Sequence, residues 1–137
     1  MKNGVLRFPL GRGRHAPIAA EDQGRVIAAV LMNPAPHAGK TYPLFGPVEL
    51  NHYQIAEKLS ATLGRAFRYE PLSIPDFVTE MGSGGLSPRL IQHIASVAQD
   101  YQDGIFAGTN DVVEMITGKR PLTLEEFVER NRAKFAV

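Results

Sequence analysis

Apolar residues recur along this chain at two spacings, one typical of strands and one typical of helices. Alternation of apolar and polar positions over residues 5–10 predicts a strand, with Pro9 marking an edge or an end. The glycine-rich residues 11–14 predict a turn, and residues 15–18 a short return strand. Residues 20–32 then follow the helical spacing, with a predicted buried face made of Val26, Ile27, Val30 and Leu31.

The middle of the chain has the pattern of a strand, a helix and a second strand. Residues 41–45 are a strand candidate, and residues 67–72 are the candidate for the returning strand. Between them, Asn51 and Gln54 have the spacing of a capping box, and Gly64 is placed to end the helix that they begin. If these two strands share one sheet, such a crossover makes them parallel.

The last third of the chain has helical patterns separated by glycine and proline. Four helices are predicted there: a short one through about Met81, one that begins at Ser87-Pro88, one over 109–117 and one over 123–135. The expected fold is a single α/β domain over residues 1–137. It has a small, mostly parallel sheet, built from the βαβ unit and an N-terminal strand or hairpin, that about five helices cover.

Composition narrows the classes of function. Fifteen basic and fourteen acidic side chains give a formal charge of +1, which does not favour a nucleic acid or an anionic membrane as partner. The chain has no cysteine, so disulfides, thiolate metal sites and cysteine nucleophiles are excluded. The longest apolar run, residues 26–32, is too short for a membrane span, and a cytoplasmic protein is expected.

Two short motifs look like nucleotide sites but lack the required context. Residues 11–16 match GxGxxA, yet the dinucleotide fingerprint needs a helix that begins inside the motif, and residues 16–18 read as extended chain. Residues 39–41 read Gly-Lys-Thr, but Pro34 occupies the position where a P-loop needs its first glycine. Neither motif is therefore interpreted as a phosphate site.

Three longer stretches carry a resemblance to a known family. Residues 16–31 (APIAAEDQGRVIAAVL), 39–47 (GKTYPLFGP) and 100–127 (DYQDGIFAGTNDVVEMITGKRPLTLEEF) resemble the C-terminal part of bacterial NmrA-like proteins, an atypical branch of the short-chain dehydrogenases/reductases. The resemblance implies that the Rossmann half, with its glycine-rich nucleotide turn, is missing. No cofactor is then expected on the chain alone, and NAD(P) only where a partner supplies the missing domain.

The residues offer no catalytic set. The superfamily's usual proton donor is a tyrosine with a lysine four residues later, and none of the four tyrosines has that lysine. The four histidines show no spacing typical of metal ligands, so no metal site is predicted. The resemblance places residues 8–14 and 82–86 near the substrate end of a cofactor cleft. It implies Phe8, Pro9, Met81 and Gly84 as contacts for a flat apolar ligand, although packing of Phe8 and Met81 in the core is the preferred interpretation of these two residues.

Three functions stay open at this point. The first is a non-catalytic binding or interaction module that stands alone, self-associates as a homodimer and binds a small apolar ligand. The second is a subunit that completes a separately encoded NAD(P)-dependent reductase or redox sensor, and the third is a truncated remnant without activity. Self-association is expected because removal of a nucleotide domain exposes a sheet edge and apolar surface.

Overall fold

The structure is a computed structural model that describes residues 4–135. Strands are short and helices dominate the described chain. In chain order the elements are β1 (Val5–Phe8), β2 (Arg14–His15), α1 (Ala20–Met32), a 3-10 turn (Ala35–His37), β3 (Leu50–Asn51), α2 (His52–Leu63), β4 (Arg68–Pro71), α3 (Ile74–Ser83), α4 (Pro88–Gln102), α5 (Val112–Thr117), α6 (Leu124–Arg130) and α7 (Arg132–Phe135). The predicted α/β class with a small parallel sheet under helices is confirmed, with seven α-helices in residues 4–135.

The parallel strand pair joins the start of the described chain to its middle. β1 pairs with β4 in parallel register, from Val5 opposite Arg68 to Phe8 opposite Pro71. The returning strand is therefore confirmed, but its partner is β1. A second pair, β2 with β3, is antiparallel and places Arg14 opposite Asn51.

The strand predicted over residues 41–45 is wrong, because this segment joins neither sheet. The Pro43 carbonyl of this segment accepts from the Asn110 side-chain amide at 2.9 Å, and the amide of the following Gly46 donates to the Ala16 carbonyl at 3.0 Å. Pro43 has no N–H to give to a ladder. The segment therefore runs as extended chain along residues 16–18, where it forms a wall of the cleft described below.

Helix α1 has the predicted bounds but not the predicted buried face. Val26 is buried, whereas Ile27 is 58% exposed and Leu31 is 73% exposed. The buried side of α1 includes Asp22, which is 1% exposed. Since α5 is the main helix packed on α1, one flank of the helix is covered and the flank with Ile27 and Leu31 is left at the surface.

Capping residues set most helix ends as predicted. Asn51 and Gln54 form the reciprocal capping box of α2, which ends at Gly64 in the left-handed conformation. Ser73, Ser87 and Thr123 cap α3, α4 and α6 with their hydroxyls. The helix predicted over 109–117 begins at Val112, and the one predicted over 123–135 divides at Asn131 into α6 and α7.

The main core lies between β1, β4, α2 and α6. Its buried members share contacts across these four elements and are Leu6, Ala56, Leu59, Phe67, Tyr69 and Val128. Tyr69 sits at the margin of this core and reaches a second, more polar cluster. That cluster is the starting point for the candidate site.

Candidate functional site

Two histidines and two tyrosines pack together where β2, the start of α2, β4 and the end of α4 meet. The rings of His15 and His52 stack with centroids 5.6 Å apart and planes 18° apart. Tyr101 meets both rings edge-on, with its centroid 5.1 Å from His15 and 5.7 Å from His52. Tyr69 lies 5.2 Å from His52 on the core side. We call these four residues the His–Tyr cluster.

Strand pairing brings residues distant in sequence into this cluster. β2 and β3 align His15 with Leu50, so the first residues of α2 lie beside His15. Tyr69 lies in β4, and its hydroxyl donates to the Phe8 carbonyl at 2.9 Å. Tyr101 comes from the last turn of α4, on the buried stripe that also holds Ile91 and Ala98.

The turn before β2 fixes the end of α4. A Cβ on Gly13 would lie 2.3 Å from Cδ1 of Tyr101 and 2.4 Å from its carbonyl oxygen, so only glycine allows this close approach. The Gln102 side-chain amide also donates to the Pro9 carbonyl at 2.7 Å. Together these contacts hold the Tyr101 ring against His15.

Burial keeps the cluster uncharged near neutral pH. Desolvation lowers the pKa of His15, and desolvation with the charge of His15 lowers the pKa of His52 to about 4. Burial likewise raises the pKa of Tyr101 above its ordinary value, with a further contribution from Tyr69. The Tyr101 hydroxyl is hydrogen-bonded to Nδ1 of His15. His52 Nδ1 is buried and has no partner among the described residues.

A cleft of about 520 Å³ opens beside Tyr101 and His15. Its walls come from the extended segments 16–18 and 44–45, from α4 and from the loop after it. The lining residues are His15, Ala16, Pro17, Ile18, Leu44, Phe45, Val97, Tyr101 and Phe106. The walls are thus mostly aliphatic and aromatic, and they include one hydrogen-bonded polar pair, a combination typical of small-molecule sites.

A carboxylate fastens the loop that carries Phe106. Glu49 accepts from Nε of Arg14 at 2.8 Å and from the Gly108 amide at 2.7 Å. Hydrogen bonds from Arg14 and Gly108 hold the pKa of the Glu49 carboxyl below its ordinary value. The contact ties the loop after α4 to the β2–β3 pair, so Phe106 is held over the cleft next to the Tyr101 ring, 6.0 Å away.

Several proteins that are similar to this chain are named as reductases or dehydrogenases. No family model matches the chain. The NAD(P)H azoreductase of Xenophilus azovorans is 29% identical over 134 residues, which cover 98% of this chain and 46% of the azoreductase. The festuclavine dehydrogenase of Aspergillus fumigatus is 28% identical over 91% of this chain and 43% of its own length. The chain is related to NAD(P)-dependent reductases.

Solved structures extend the relationship to three dimensions. The NADPH-dependent quinone oxidoreductase of Escherichia coli superposes with a TM-score of 0.82 at 27% identity, over 96% of this chain and 47% of that structure. The triphenylmethane reductase of Citrobacter shares the fold, with a TM-score of 0.78 at 21% identity. This reductase-related chain spans about half the length of the relatives that it matches.

The four residues implied as ligand contacts lie in two places. Phe8 is 44% exposed, and its ring centroid is 6.1 Å from that of His52, whereas Pro9 is fully buried. Met81 is partly buried near the end of α3, and Gly84 follows that helix at the surface. The two places are close to each other, because Arg7, next to Phe8, forms an ion pair of 2.8 Å with Glu80, next to Met81. None of the four lines the cleft beside Tyr101, and their contact with a ligand stays a prediction.

The His–Tyr cluster and the cleft were not predicted from the sequence. The members of the cluster come from segments up to 86 positions apart, since His15 meets Tyr101. One local signal was available: Tyr101 continues the apolar stripe of α4, and a tyrosine on a buried face needs a partner for its hydroxyl. Among residues 4–135 no group of three histidine or acidic side chains is placed to hold a metal, and no described helix has the length and apolarity needed to cross a membrane.

His52 is expected to make the fold sensitive to mild acid. Its folded-state pKa of about 4 lies below the ordinary 6.5, so the unfolded chain binds the proton more readily. The contribution of neutral His52 to the free energy of unfolding is present in full above about pH 6.5 and is lost as the pH falls from about 6.5 to about 4. The pKa difference corresponds to at most about 3 kcal/mol, which partial solvent exposure reduces to about 1–2 kcal/mol.

Urea unfolding of matched variants measures this effect. Between about pH 7 and pH 4.5, His52→Gln should lose roughly 1–2 kcal/mol less of its free energy of unfolding than the wild type does. His93→Gln, on the exposed side of α4, is the control and should behave as the wild type. Equal losses in the two variants would show that His52 is not held neutral by burial.

Proposed function

We propose that this chain is a ligand-binding lobe of the reductase type, which binds an uncharged, flat aromatic molecule in the cleft beside Tyr101. The observation that carries the proposal is the lining of the cleft. Phe45 and Phe106 offer aromatic surface, Ile18 and Val97 offer aliphatic surface, and no charged side chain of the described residues lines it. Apolar walls favour a ligand that loses little solvation on entry.

The names of two relatives support a flat aromatic molecule as the ligand. By their names, one acts on azo compounds and the other on quinones. The two proteins align with almost all of this chain, at 29% and 27% identity. We infer from these matches, and from the resemblance in sequence, that the lobe corresponds to the C-terminal, substrate-side part of an NmrA-like protein.

On this proposal the chain contributes binding and leaves hydride transfer to a nucleotide-binding domain. The GxGxxA residues 11–16 contain strand β2, and the next helix begins only at Ala20. Their amides therefore do not form a helix N-terminus for a pyrophosphate. NAD(P) would be bound by another domain, and the residues described here would orient the molecule to be reduced.

Exposed apolar residues on α1 and α5 favour an interaction with another protein surface. Ile27 and Leu31 on α1 and Met115 on α5 are all largely exposed, and α1 and α5 pack side by side. We propose that a second copy of the chain covers such surface in a homodimer. The alternative is that a nucleotide-binding domain covers it, which the twofold greater length of the relatives favours.

Calorimetric titration with 1,4-naphthoquinone tests the binding function. The chain has no cysteine, so the quinone cannot add to a thiol. Wild-type protein should bind it, and Val97→Trp, which fills the cleft, should weaken binding at least about tenfold. The matched control is Val78→Trp on the exposed side of α3, which should bind as the wild type does. Equal binding by Val97→Trp and the wild type would place the ligand elsewhere, and no binding at all by wild-type protein would end the proposal.

A further inference from the structure

The cleft contains one polar feature that the shape of a flat ligand does not explain. Among its described lining residues, only His15 and Tyr101 have polar side chains, and these two are hydrogen-bonded to each other. Polar groups at the edge of an apolar site fix the orientation of a ligand and decide which ligand is accepted.

The His15–Tyr101 pair has one donor hydrogen that its mutual bond does not use. A neutral imidazole has one N–H and a phenol has one O–H, so the pair holds two donor hydrogens, and its mutual bond uses one. If Nδ1 of His15 carries the hydrogen, the Tyr101 hydroxyl keeps its own for another acceptor. If the Tyr101 hydroxyl donates to Nδ1, then Nε2 of His15 carries the spare hydrogen. Either way, one donor hydrogen is left over, on the Tyr101 hydroxyl or on Nε2 of His15.

The surroundings of the pair maintain this count. Desolvation lowers the pKa of His15, so the ring stays neutral near pH 7, and burial keeps the Tyr101 phenol protonated. His52, which stacks on His15, adds no charge beside it near pH 7, because desolvation lowers the pKa of His52 to about 4. Gly13 and Gln102 fix the end of α4, so the Tyr101 hydroxyl is held in place.

We propose that Nδ1 of His15 carries the hydrogen of the shared bond, so that the Tyr101 hydroxyl, oriented by His15, is the specificity-determining donor of the cleft and selects uncharged flat aromatic ligands that carry a hydrogen-bond acceptor. A quinone carbonyl oxygen and an azo nitrogen are acceptors of this class. Tyr101 is the ligand-binding residue and His15 is a positioning residue. A buried donor left without a partner is costly, so a flat hydrocarbon of equal size binds less well.

This inference rests on the proposed function, and a pair of ligands separates the two. Naphthalene tests the cleft alone, and 1,4-naphthoquinone adds two carbonyl acceptors to the same ring system. The wild type should bind the quinone roughly tenfold more tightly than the hydrocarbon, the value of one good hydrogen bond. In Tyr101→Phe this preference should fall to roughly twofold or less, while naphthalene binding stays within about twofold of the wild type.

Tyr53→Phe is the matched control. Its ring packs on Tyr69 outside the cleft, and the variant should keep the full preference for the quinone. Thermal unfolding of each variant shows whether it is folded, and naphthalene binding reports an intact cleft. If Tyr101→Phe does not fold, His15→Gln replaces it, with the same expected loss of preference because the donor is no longer positioned.

Each outcome has one meaning. A preference for the quinone that survives in a folded Tyr101→Phe overturns the inference and leaves the binding function standing. Wild-type protein that binds both ligands equally overturns it too. Wild-type protein that binds neither ligand overturns the proposed function and the inference together.

Discussion

Asp22→Ala is expected to lower the free energy of unfolding by about 3 kcal/mol, one of the two largest effects predicted for a single substitution in this chain. Asp22 is 1% exposed, in the first turn of α1. One carboxylate oxygen accepts from Arg25 at 2.5 Å, and the other accepts from the amide of buried Leu122 at 2.8 Å. Alanine would leave the Leu122 amide without a partner and would remove the charge that compensates Arg25.

The adjacent residue provides the control. Glu21 forms an ion pair with Arg130 at 2.9 Å, and both side chains are 53% exposed. Exposed pairs contribute little, so Glu21→Ala should cost about 0.5 kcal/mol or less. Chemical denaturation of the two variants measures both effects. Similar losses for Asp22→Ala and Glu21→Ala would contradict the view that Asp22 fastens α1 to the segment before α6.

Gly46→Ala is expected to destabilise the protein by about 3 kcal/mol and to deform the cleft. A Cβ on Gly46 would lie 1.8 Å from the carbonyl oxygen of Pro17 and 2.7 Å from its carbonyl carbon, both backbone atoms that cannot turn aside. The Gly46 amide bonds to the Ala16 carbonyl in the same contact. Since Pro17 and Phe45 line the cleft, separation of the two segments should also weaken naphthoquinone binding.

Gly24→Ala is the matched substitution with the opposite expected sign. Gly24 lies inside α1 at the surface, and a Cβ there would meet nothing within 4 Å. Alanine has the higher helix propensity, so this variant should be about 0.5–1 kcal/mol more stable and should bind as the wild type does. Thermal unfolding together with calorimetric binding compares the two variants. A Gly46→Ala protein as stable as the wild type would show that segments 16–18 and 44–46 are not in contact.

Local sequence signals predicted the helices well because helix ends depend on neighbours in sequence. Two capping boxes each bond within one helical turn, Asn51 with Gln54 and Thr123 with Glu126. Gly64 ends α2 because glycine adopts the left-handed conformation without strain. The bounds of α1 followed from periodicity in the same way. Its buried face did not, because burial depends on which helix packs beside it.

The strands and the site depended on contacts that no window of sequence contains. The apolar composition of residues 41–45 suits a strand, yet the Pro43 carbonyl accepts from Asn110, and the next residue after the segment, Gly46, donates to Ala16. The cleft needs the β2–β3 pairing to bring His15 to the start of α2, and the close approach at Gly13 to bring Tyr101 to His15. Of the four residues implied by the family resemblance, Phe8 lies next to the His–Tyr cluster, which the resemblance did not indicate.

Chemical-shift mapping by NMR, with 1,4-naphthoquinone added to the isotope-labelled chain, tests the central claim most directly. We expect the largest amide shifts at residues that line the cleft, namely Ile18, Phe45, Val97, Tyr101 and Phe106. Added NADPH should cause no comparable shifts in this chain alone. Quinone-induced shifts centred on Met81 and Gly84, or no shifts at all, would contradict the claim that the cleft beside Tyr101 is the binding site.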